Sequence, residues 1–214
     1  LLFAAMLFSQ AAFAYDFSDV APSGQTLYYT IHYDFGEITL SVVYPNNATD
    51  PWYGYSKPTG NLIIPDSITD GETSYPVTSI EEYAFYACRG LTSVTIPNSV
   101  TSINRDAFHG CYGLTSVTIP NSVTKIKTNT FKGCDGLTSV IIPNSITEIQ
   151  SESFYGCIGL TSATIGSSVS FIGSKAFYGC TGMASMKYLS QIPPQIGTDA
   201  FAGIPTDIPV YIPC

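Results

Sequence analysis

Apolar and polar residues alternate along most of this chain in a pattern that returns every 23 residues. In the first clear copy, residues 91–113, the apolar residues Leu91, Val94 and Ile96 are separated by serine and threonine, which is the alternation of a half-buried strand. Further copies follow without a slip of register in 114–136, 137–159 and 160–182. A fixed period of about 20–50 residues predicts a repeat architecture of stacked coils.

The second half of each copy predicts a turn back towards the core. Pro97 has no N–H, so it suits the end of the strand rather than its middle. After a short turn, Val100 and Ile103 are expected to point inwards, followed by a short helical or 3-10 stretch over 104–108. Gly113 then allows the corner from which the next strand begins.

A single 23-residue coil cannot bury its own apolar side, so the copies must stack. At the spacing of neighbouring strands, about 4.8 Å, identical side chains form files that run through a shared core. The files are Leu91, Leu114, Leu137 and Leu160; Ile96, Ile119, Ile142 and Ile165; Phe108, Phe131, Phe154 and Phe177; and Cys88, Cys111, Cys134, Cys157 and Cys180.

The first segment, residues 1–14, is typical of a secretory signal peptide that is truncated at its start. Its apolar run is followed by Ala12, Phe13 and Ala14, which match an A-x-A cleavage site. Eight nearly unbroken apolar residues are too few to span a bilayer, which takes about 20. A buried N-terminal strand is the alternative. We therefore expect the mature protein to begin near Tyr15, outside the cytoplasm.

The second segment, residues 15–61, predicts a leader, a β-hairpin and a loop. Residues 15–25 are polar and are expected to have no structure of their own. The strand-like runs 27–33 and 37–44 flank a glycine-containing turn and predict a hairpin that caps the first coil. Trp52, in the loop over 45–61, is expected to fold back over this cap; an exposed sugar or protein contact is the alternative.

The third segment, residues 62–214, predicts the solenoid, with an irregular coil at each end. The first coil carries an insertion around 70–76, because Pro65 and Pro97 lie 32 residues apart. The copy after 182 is eroded and one residue longer, with Phe201 in the phenylalanine file. Residues 210–214 match only the start of a further strand, so we expect the C-terminal end of the solenoid to be incomplete.

Composition limits the kinds of partner. Only 11% of residues are charged and the formal net charge is -8. Residues 1–82 hold ten Asp and Glu against one Lys, whereas residues 83–214 hold six against seven Lys and Arg. A nearly neutral solenoid gives no support for binding nucleic acid or an anionic membrane. We expect no nucleic-acid partner and no membrane insertion after signal removal.

The repeat closely resembles a known family. The L-x-x-V-x-I spacing is similar to the strand signature of leucine-rich repeats, and the fuller unit, with AF-x-GC and IPNSVTSI, resembles the BspA-type leucine-rich repeat of bacterial surface proteins and some parasitic protists. The resemblance covers about 62–214 and implies a right-handed solenoid with a concave parallel β-sheet and short turns on the other side. It also implies adhesion to proteins of a host or neighbouring cell. Ser99, Ser122, Ser145 and Ser168 depart from the general pattern, which places Asn or Cys there.

Candidate chemistry is sparse. The five cysteines in register predict buried core thiols; one or two stacked disulfides, or a metal site, are the alternatives. Cys214 lies outside that file. His32 and His109 are the only histidines and have no recurring nucleophile beside them. We therefore predict no enzyme activity, no cofactor and no metal.

Two exposed rows are the candidate partner-binding surfaces. The first follows the predicted sheet and is named the sheet row: Ser93, Thr95, Ser116, Thr118, Ser139, Ile141, Ser162 and Thr164. The second lies beside the buried phenylalanines and is named the aromatic row: Tyr86, His109, Lys132, Tyr155 and Tyr178. Simple solubility is the alternative interpretation of either row.

The predicted function is a monomeric, secreted or cell-surface module that binds an extracellular protein or glycan through the solenoid. The alternative is a structural spacer or stalk that displays another domain and has no partner of its own.

Overall fold

The computed structural model describes residues 17–34, 37–45 and 51–211. The predicted signal peptide over 1–14, the turn residues 35–36, loop residues 46–50 and Cys214 lie outside the described residues. The described chain is a parallel β-solenoid of about five coils, and none of its described residues is helical.

The N-terminal part is a small sheet that continues into the first coils. The first six strands are β1 (Phe17–Val20), β2 (Thr26–Asp34), β3 (Glu37–Val43), β4 (Gly60–Ile63), β5 (Ser67–Asp70) and β6 (Thr73–Ile80). Strand β1 pairs antiparallel with β2, β2 pairs antiparallel with β3, and β3 pairs in parallel with β6.

The predicted hairpin is present as β2 and β3, but the prediction of an unstructured leader over 15–25 is wrong. Phe17 pairs with Tyr29 and Val20 with Thr26, so β1 supplies the backbone partners that the outer edge of β2 requires. The predicted insertion around 70–76 forms a second hairpin, in which Asp70 pairs with Thr73 across a turn at Gly71, whose φ is 63°.

The repeats contribute two sets of parallel strands. The remaining strands are β7 (Leu91–Thr95), β8 (Ser102–Ile103), β9 (Ser116–Thr118), β10 (Lys125–Ile126), β11 (Ser139–Ile142), β12 (Glu148–Ile149), β13 (Ser162–Ile165), β14 (Phe171–Ile172), β15 (Ser185–Tyr188), β16 (Gln195–Ile196) and β17 (Val210–Tyr211). The sequence L-T-S-V-T-I and its irregular counterparts at the two ends form the sheets β4-β7-β9 and β11-β13-β15-β17. The sequence V-T-x-I and its counterparts form a sheet of two-residue strands, β10-β12-β14-β16.

The 23-residue register is confirmed residue by residue. Val94 pairs with Val117, and Ile142 pairs with Ile165. The backbone N–H of Thr138 donates to the carbonyl of Thr115, which links the sheets on either side of that coil. Equivalent residues therefore lie one above another.

The predicted core files are confirmed as well. The leucines, cysteines and phenylalanines of the files are fully buried in the regular coils. Phenyl rings of successive coils stack nearly in parallel, with centroids 5.1 Å apart between Phe85 and Phe108 and 5.5 Å apart between Phe108 and Phe131. The stack continues through Phe154 and Phe177 to Phe201. It forms an unbroken aromatic column inside the solenoid.

The short helical or 3-10 stretch predicted over 104–108 is not confirmed, because this segment forms turns. Asp106 has a left-handed φ of 55°, which interrupts a right-handed helix. The N–H of Phe108 instead donates to the carbonyl of Thr130, and that of Gly110 to Lys132, both in the next coil. Backbone groups that a helix would use internally join neighbouring coils here.

Candidate binding surfaces

The sheet row lies where the sequence predicts it, along the outer side of the parallel strands. Thr95 pairs with Thr118, Ser139 with Ser162, and Ile141 with Thr164. Five members are exposed: Thr95, Ser116, Thr118, Ser139 and Ile141. The other three are half-buried: Ser93, Ser162 and Thr164. The strands that carry the row belong to two sheets, with β7 and β9 in one and β11 and β13 in the other, and the accessibility of the row differs from coil to coil.

Ile141 is the most unusual member of the sheet row. Its side chain is 70% exposed, whereas Val140 beside it is buried in the core. Thr118, the equivalent residue of the preceding coil, is exposed as well. The row thus presents one large apolar group among small polar ones.

A different file of hydroxyls, next to the sheet row, serves the stacking of coils. Thr115 Oγ1 donates to the carbonyl of Thr92 over 2.9 Å, and Thr161 Oγ1 donates to that of Thr138 over 2.9 Å. On the other side of the coil, Thr147 Oγ1 donates to the carbonyl of Thr124 over 3.3 Å. Sequence reasoning missed these bonds, although the repetition of threonine at these positions is their signal. Repeated threonine therefore marks stacking at some positions and an open surface at others.

Members of the aromatic row contact one another in two groups, one at each end. Tyr86 meets His109 edge to face at 5.1 Å, and Tyr155 stacks on Tyr178 at 5.0 Å with an interplanar angle of 9°. Lys132 Nζ lies 4.8 Å from the centre of the Tyr155 ring. Lys132 also forms an ion pair with Glu152 over 2.6 Å. The end with Tyr155 and Tyr178 has parallel rings that cover each other, and the end with Tyr86 and His109 has perpendicular ones.

A buried carboxylate supports the Tyr86 end of the aromatic row. The side chain of Asp106 is 4% exposed; its Oδ1 accepts a hydrogen bond from His109 Nδ1 over 2.8 Å and its Oδ2 one from Arg105 Nε over 3.4 Å. Burial alone raises the pKa of the Asp106 carboxyl, but hydrogen bonds and charge from His109, together with hydrogen bonds from Arg105 and Asn129, outweigh it and lower that pKa below its ordinary value. Asp106 is therefore ionised and holds His109 in one orientation.

Sequence reasoning missed Asp106, Arg105 and two further tyrosines, Tyr44 and Tyr83, which lie at the same place. Asp106 occupies a position that is not constant from coil to coil, since Asn129 stands there in the next one. Asp106 lies three residues before His109 of the aromatic row, and the change of residue type at this position from coil to coil is the signal that could have identified it. Tyr44 comes from the segment before the repeats, and no periodicity connects it to this place.

The cysteine file consists of free, buried thiols at the five described positions. The thiol of Cys111 donates to the carbonyl of Phe85 over 3.1 Å, and that of Cys157 to Phe131 over 3.1 Å. Burial raises the pKa of Cys111 to about 12. Among the described residues, no group of three or more His, Cys, Asp and Glu side chains could hold a metal ion. The thiols act as small core groups with a hydrogen bond each.

The second histidine belongs to a polar chain on the N-terminal sheet. His32 Nε2 and Ser41 Oγ are hydrogen-bonded at 2.6 Å, and Ser41 Oγ is hydrogen-bonded to Ser79 Oγ at 2.6 Å. This histidine–serine contact escaped sequence reasoning. Ser41 is 1% exposed, so a substrate cannot reach its hydroxyl, and the arrangement serves the packing of β3 against β6.

Trp52 is 2% exposed and meets the Tyr28 ring edge to face at 5.9 Å. The prediction that it folds back onto the N-terminal hairpin is confirmed, and the alternative of an exposed contact is wrong, because its ring is buried against β2. Among the described residues, no helix is long and apolar enough to cross a membrane.

Solved structures of bacterial leucine-rich-repeat proteins share this fold. A leucine-rich repeat protein from Bacteroides ovatus is 29% identical with a TM-score of 0.65, over 83% of this chain and 43% of its own. A leucine rich cell surface protein from Faecalibacterium prausnitzii is 27% identical with a TM-score of 0.61, over 87% of this chain and 52% of its own. A leucine rich repeat protein of T. pallidum, 24% identical with a TM-score of 0.67 over 83% of this chain and 88% of its own, shows the fold alone. The chain thus spans about half the length of the first two.

No curated protein sequence matches the chain. The sequence model of the BspA type leucine rich repeat region matches residues 63–206 in six copies. These copies cover the regular coils and the irregular coil at each end. The chain therefore belongs to the BspA-type leucine-rich-repeat family.

Proposed function

We propose that the chain is a secreted or cell-surface binding module that recognises an extracellular protein or glycan through the surface of its solenoid. The observation that carries this proposal is the sheet row, in which Thr118 and Ile141 are exposed at equivalent positions of successive coils, on strands β9 and β11 that each pair with another strand of the solenoid. A backbone fixed before a partner arrives loses little conformational freedom on binding. A rigid row of exposed groups therefore favours binding at modest cost.

Ile141 supports a protein partner in particular. A large apolar side chain that is 70% exposed and surrounded by small polar groups has the arrangement of a contact centre with a polar rim. Burying it against a partner contributes about 1.5–3 kcal/mol at most. Affinity must then come from several coils together.

Two observations support a location outside the cytoplasm. The similar protein from Faecalibacterium prausnitzii is described as a cell surface protein. The apolar segment 1–14 is typical of a secretory signal.

The test is biolayer interferometry of the full chain against panels of extracellular-matrix proteins and bacterial surface proteins. Saturable binding to at least one of them is expected, weakened at least tenfold by Thr118→Arg. The matched control is Thr124→Arg, which places the same charge at an exposed threonine just before β10, in the other set of strands. Binding that Thr124→Arg weakens as much as Thr118→Arg would contradict the sheet row as the contact surface.

A structural spacer is the second candidate function, and the continuous stack of phenyl rings favours it. A column from Phe85 to Phe201, together with threonine bonds between coils, makes a stiff rod. If the full chain binds no member of either panel, the binding proposal is overturned and the spacer is retained.

A further inference from the structure

A cleft of about 480 Å³ opens where the N-terminal sheet meets the first coils of the solenoid. Its lining includes three tyrosines, Tyr44, Tyr83 and Tyr86, and three polar residues, Arg105, Asp106 and His109. This volume lies within the range of small-molecule pockets, about 300–1,000 Å³. It is lined by the Tyr86 end of the aromatic row and by the residues that sequence reasoning missed.

The tyrosine rings of the cleft are arranged as perpendicular walls. Tyr44 and Tyr83 meet at 6.4 Å with an interplanar angle of 68°, and Tyr83 and Tyr86 at 5.7 Å with an angle of 82°. An edge-to-face contact covers a face of only one of its two rings. At the other end of the aromatic row, Tyr155 and Tyr178 cover each other face to face. The rings of the cleft are therefore not stacked face to face, unlike those of Tyr155 and Tyr178.

The polar side of the cleft offers both donors and acceptors. His109 Nδ1 donates a hydrogen bond to the ionised Asp106, and within the described part of the chain its Nε2 makes no hydrogen bond to protein. Arg105 pairs with Glu82 over 3.0 Å and with Asp106 over 3.4 Å, in both cases through Nε. Within the described residues, the two terminal nitrogens of Arg105 make no such pair and remain donors. Tyrosine hydroxyls add groups that can do either.

The charges of the cleft select against charged ligands. A cation would compete with Arg105 for the carboxylates of Glu82 and Asp106, which are already paired. An anion drawn to Arg105 would lie beside those same carboxylates. Aromatic faces with adjacent donors and acceptors suit an uncharged ligand that has an apolar face and a rim of hydroxyls.

We propose that this cleft binds a neutral hexopyranoside, the sugar ring packing its C–H face on Tyr86 and its hydroxyls bonding to Arg105 and His109. This inference rests on the proposed binding function and gives it a ligand class and a second place on the solenoid. It does not require the sheet row to bind a protein.

The experiment is saturation-transfer-difference NMR of the full chain with methyl glycosides of glucose, galactose, mannose and N-acetylglucosamine. At least one neutral glycoside is expected to bind saturably. Tyr86→Ala should weaken binding at least tenfold, while Tyr86→Phe, which keeps the ring, should weaken it less than threefold. Tyr178→Ala is the matched control, because Tyr178 holds the same repeat position four coils later and is stacked.

Three results overturn the proposal: no saturable signal from any of the four glycosides, binding that Tyr86→Ala leaves intact, or stronger binding of choline or methyl glucuronide than of every neutral glycoside. Circular dichroism of each variant separates loss of the site from loss of the fold. Since the protein panels probe the sheet row through Thr118→Arg, glycoside binding without protein binding, or the reverse, shows which proposal has failed.

Discussion

The thiol of Cys134 donates a hydrogen bond to the carbonyl oxygen of Phe108, 26 residues earlier in the chain, over 3.3 Å. The same bond joins Cys180 to Phe154 over 3.2 Å. Cysteine is thus a core residue with a specific partner, since it fills a small space and satisfies a carbonyl of the preceding coil. This bond ties the cysteine file to the phenylalanine file at every regular step.

The cysteine file should be inert in the folded protein. Burial raises the pKa of Cys180 to about 12 and that of Cys134 well above its usual range, so the reactive thiolate is scarce at pH 8. We expect the five thiols to react with Ellman's reagent only after denaturation in guanidinium. Ser167→Cys, at an exposed position, is the positive control and should add one fast thiol. Rapid reaction of any file cysteine in the native protein would contradict this expectation.

Gly159 should tolerate no side chain, because coils approach most closely there. A Cβ at this position would lie 2.2 Å from the carbonyl oxygen of Asp135, a backbone atom that cannot turn away. Gly159→Ala should lower the free energy of unfolding by about 3 kcal/mol, as expected of overpacking. Gly90 is the matched control at the same repeat position, where the Cβ would meet the mobile Cγ2 of Thr59 at 2.7 Å. Urea denaturation should give Gly90→Ala a loss below about 1 kcal/mol.

Much of the fold follows from the sequence, because a period of 23 residues repeats each physical constraint in every coil. Leu91, Val94 and Phe108 are buried as predicted, since stacking leaves their apolar side chains no other place. The pairing of β1 could not be predicted, because residues 17–20 are a run of only four residues, with Ser and Asp between two apolar ones, and their strand partner is the edge of β2. The fold can therefore be predicted from the sequence where the same constraint repeats in every coil, but not where two unlike segments meet.

The candidate surfaces show the same division. The sheet row follows from alternation, and Ile141 lies outside for the same reason that Val140 lies inside. The tyrosine cleft joins Tyr44, which precedes the repeats, to Asp106 in a turn whose left-handed φ no residue pattern indicates. Asp is enriched in that conformation, but Glu152 and Lys175 adopt it at the same repeat position, so the residue type does not mark it. The cleft therefore required the three-dimensional arrangement.

Ala87 is a position where glycine should be better. Its φ is 53°, and the later coils place glycine there, as at Gly110 and Gly133. A left-handed conformation costs a non-glycine residue about 1–2 kcal/mol, whereas the flexibility of glycine in the unfolded chain costs about 0.5–1 kcal/mol. Ala87→Gly should therefore raise the free energy of unfolding by about 0.5–1 kcal/mol.

The matched control for Ala87→Gly is Ala84→Gly in the same turn. Ala84 is buried without a left-handed φ, so the change removes a packed methyl group and adds only chain flexibility. It should destabilise the protein by about 1 kcal/mol. Thermal and urea denaturation of both variants measures the two effects. A loss of stability in Ala87→Gly as large as that of the control would contradict the argument.

The stability contributed by Asp106 should depend on pH in a defined direction. The groups facing its carboxyl are His109, Arg105 and Asn129, and these three lower its pKa in the folded state; Glu82 and Tyr83 lie beside Arg105. Its contribution is therefore fully present above the ordinary value of 3.8 and is lost as the pH falls through the lower folded-state value. Asp106→Asn should lower the free energy of unfolding by about 1.5–3 kcal/mol at pH 7, the size of a charged hydrogen bond.

Asp135 is the control with the opposite sign. Burial raises the pKa of its carboxyl, so the ionised form is disfavoured in the folded protein and its effect on stability becomes unfavourable as the pH rises above 3.8. Asp135→Asn should therefore stabilise the protein at pH 7 and change little at pH 3. Urea denaturation of both variants at pH 3, 5 and 7 checks the pair. A loss in Asp106→Asn that persists unchanged at pH 3 would show that packing, and not charge, holds the Asp106 turn.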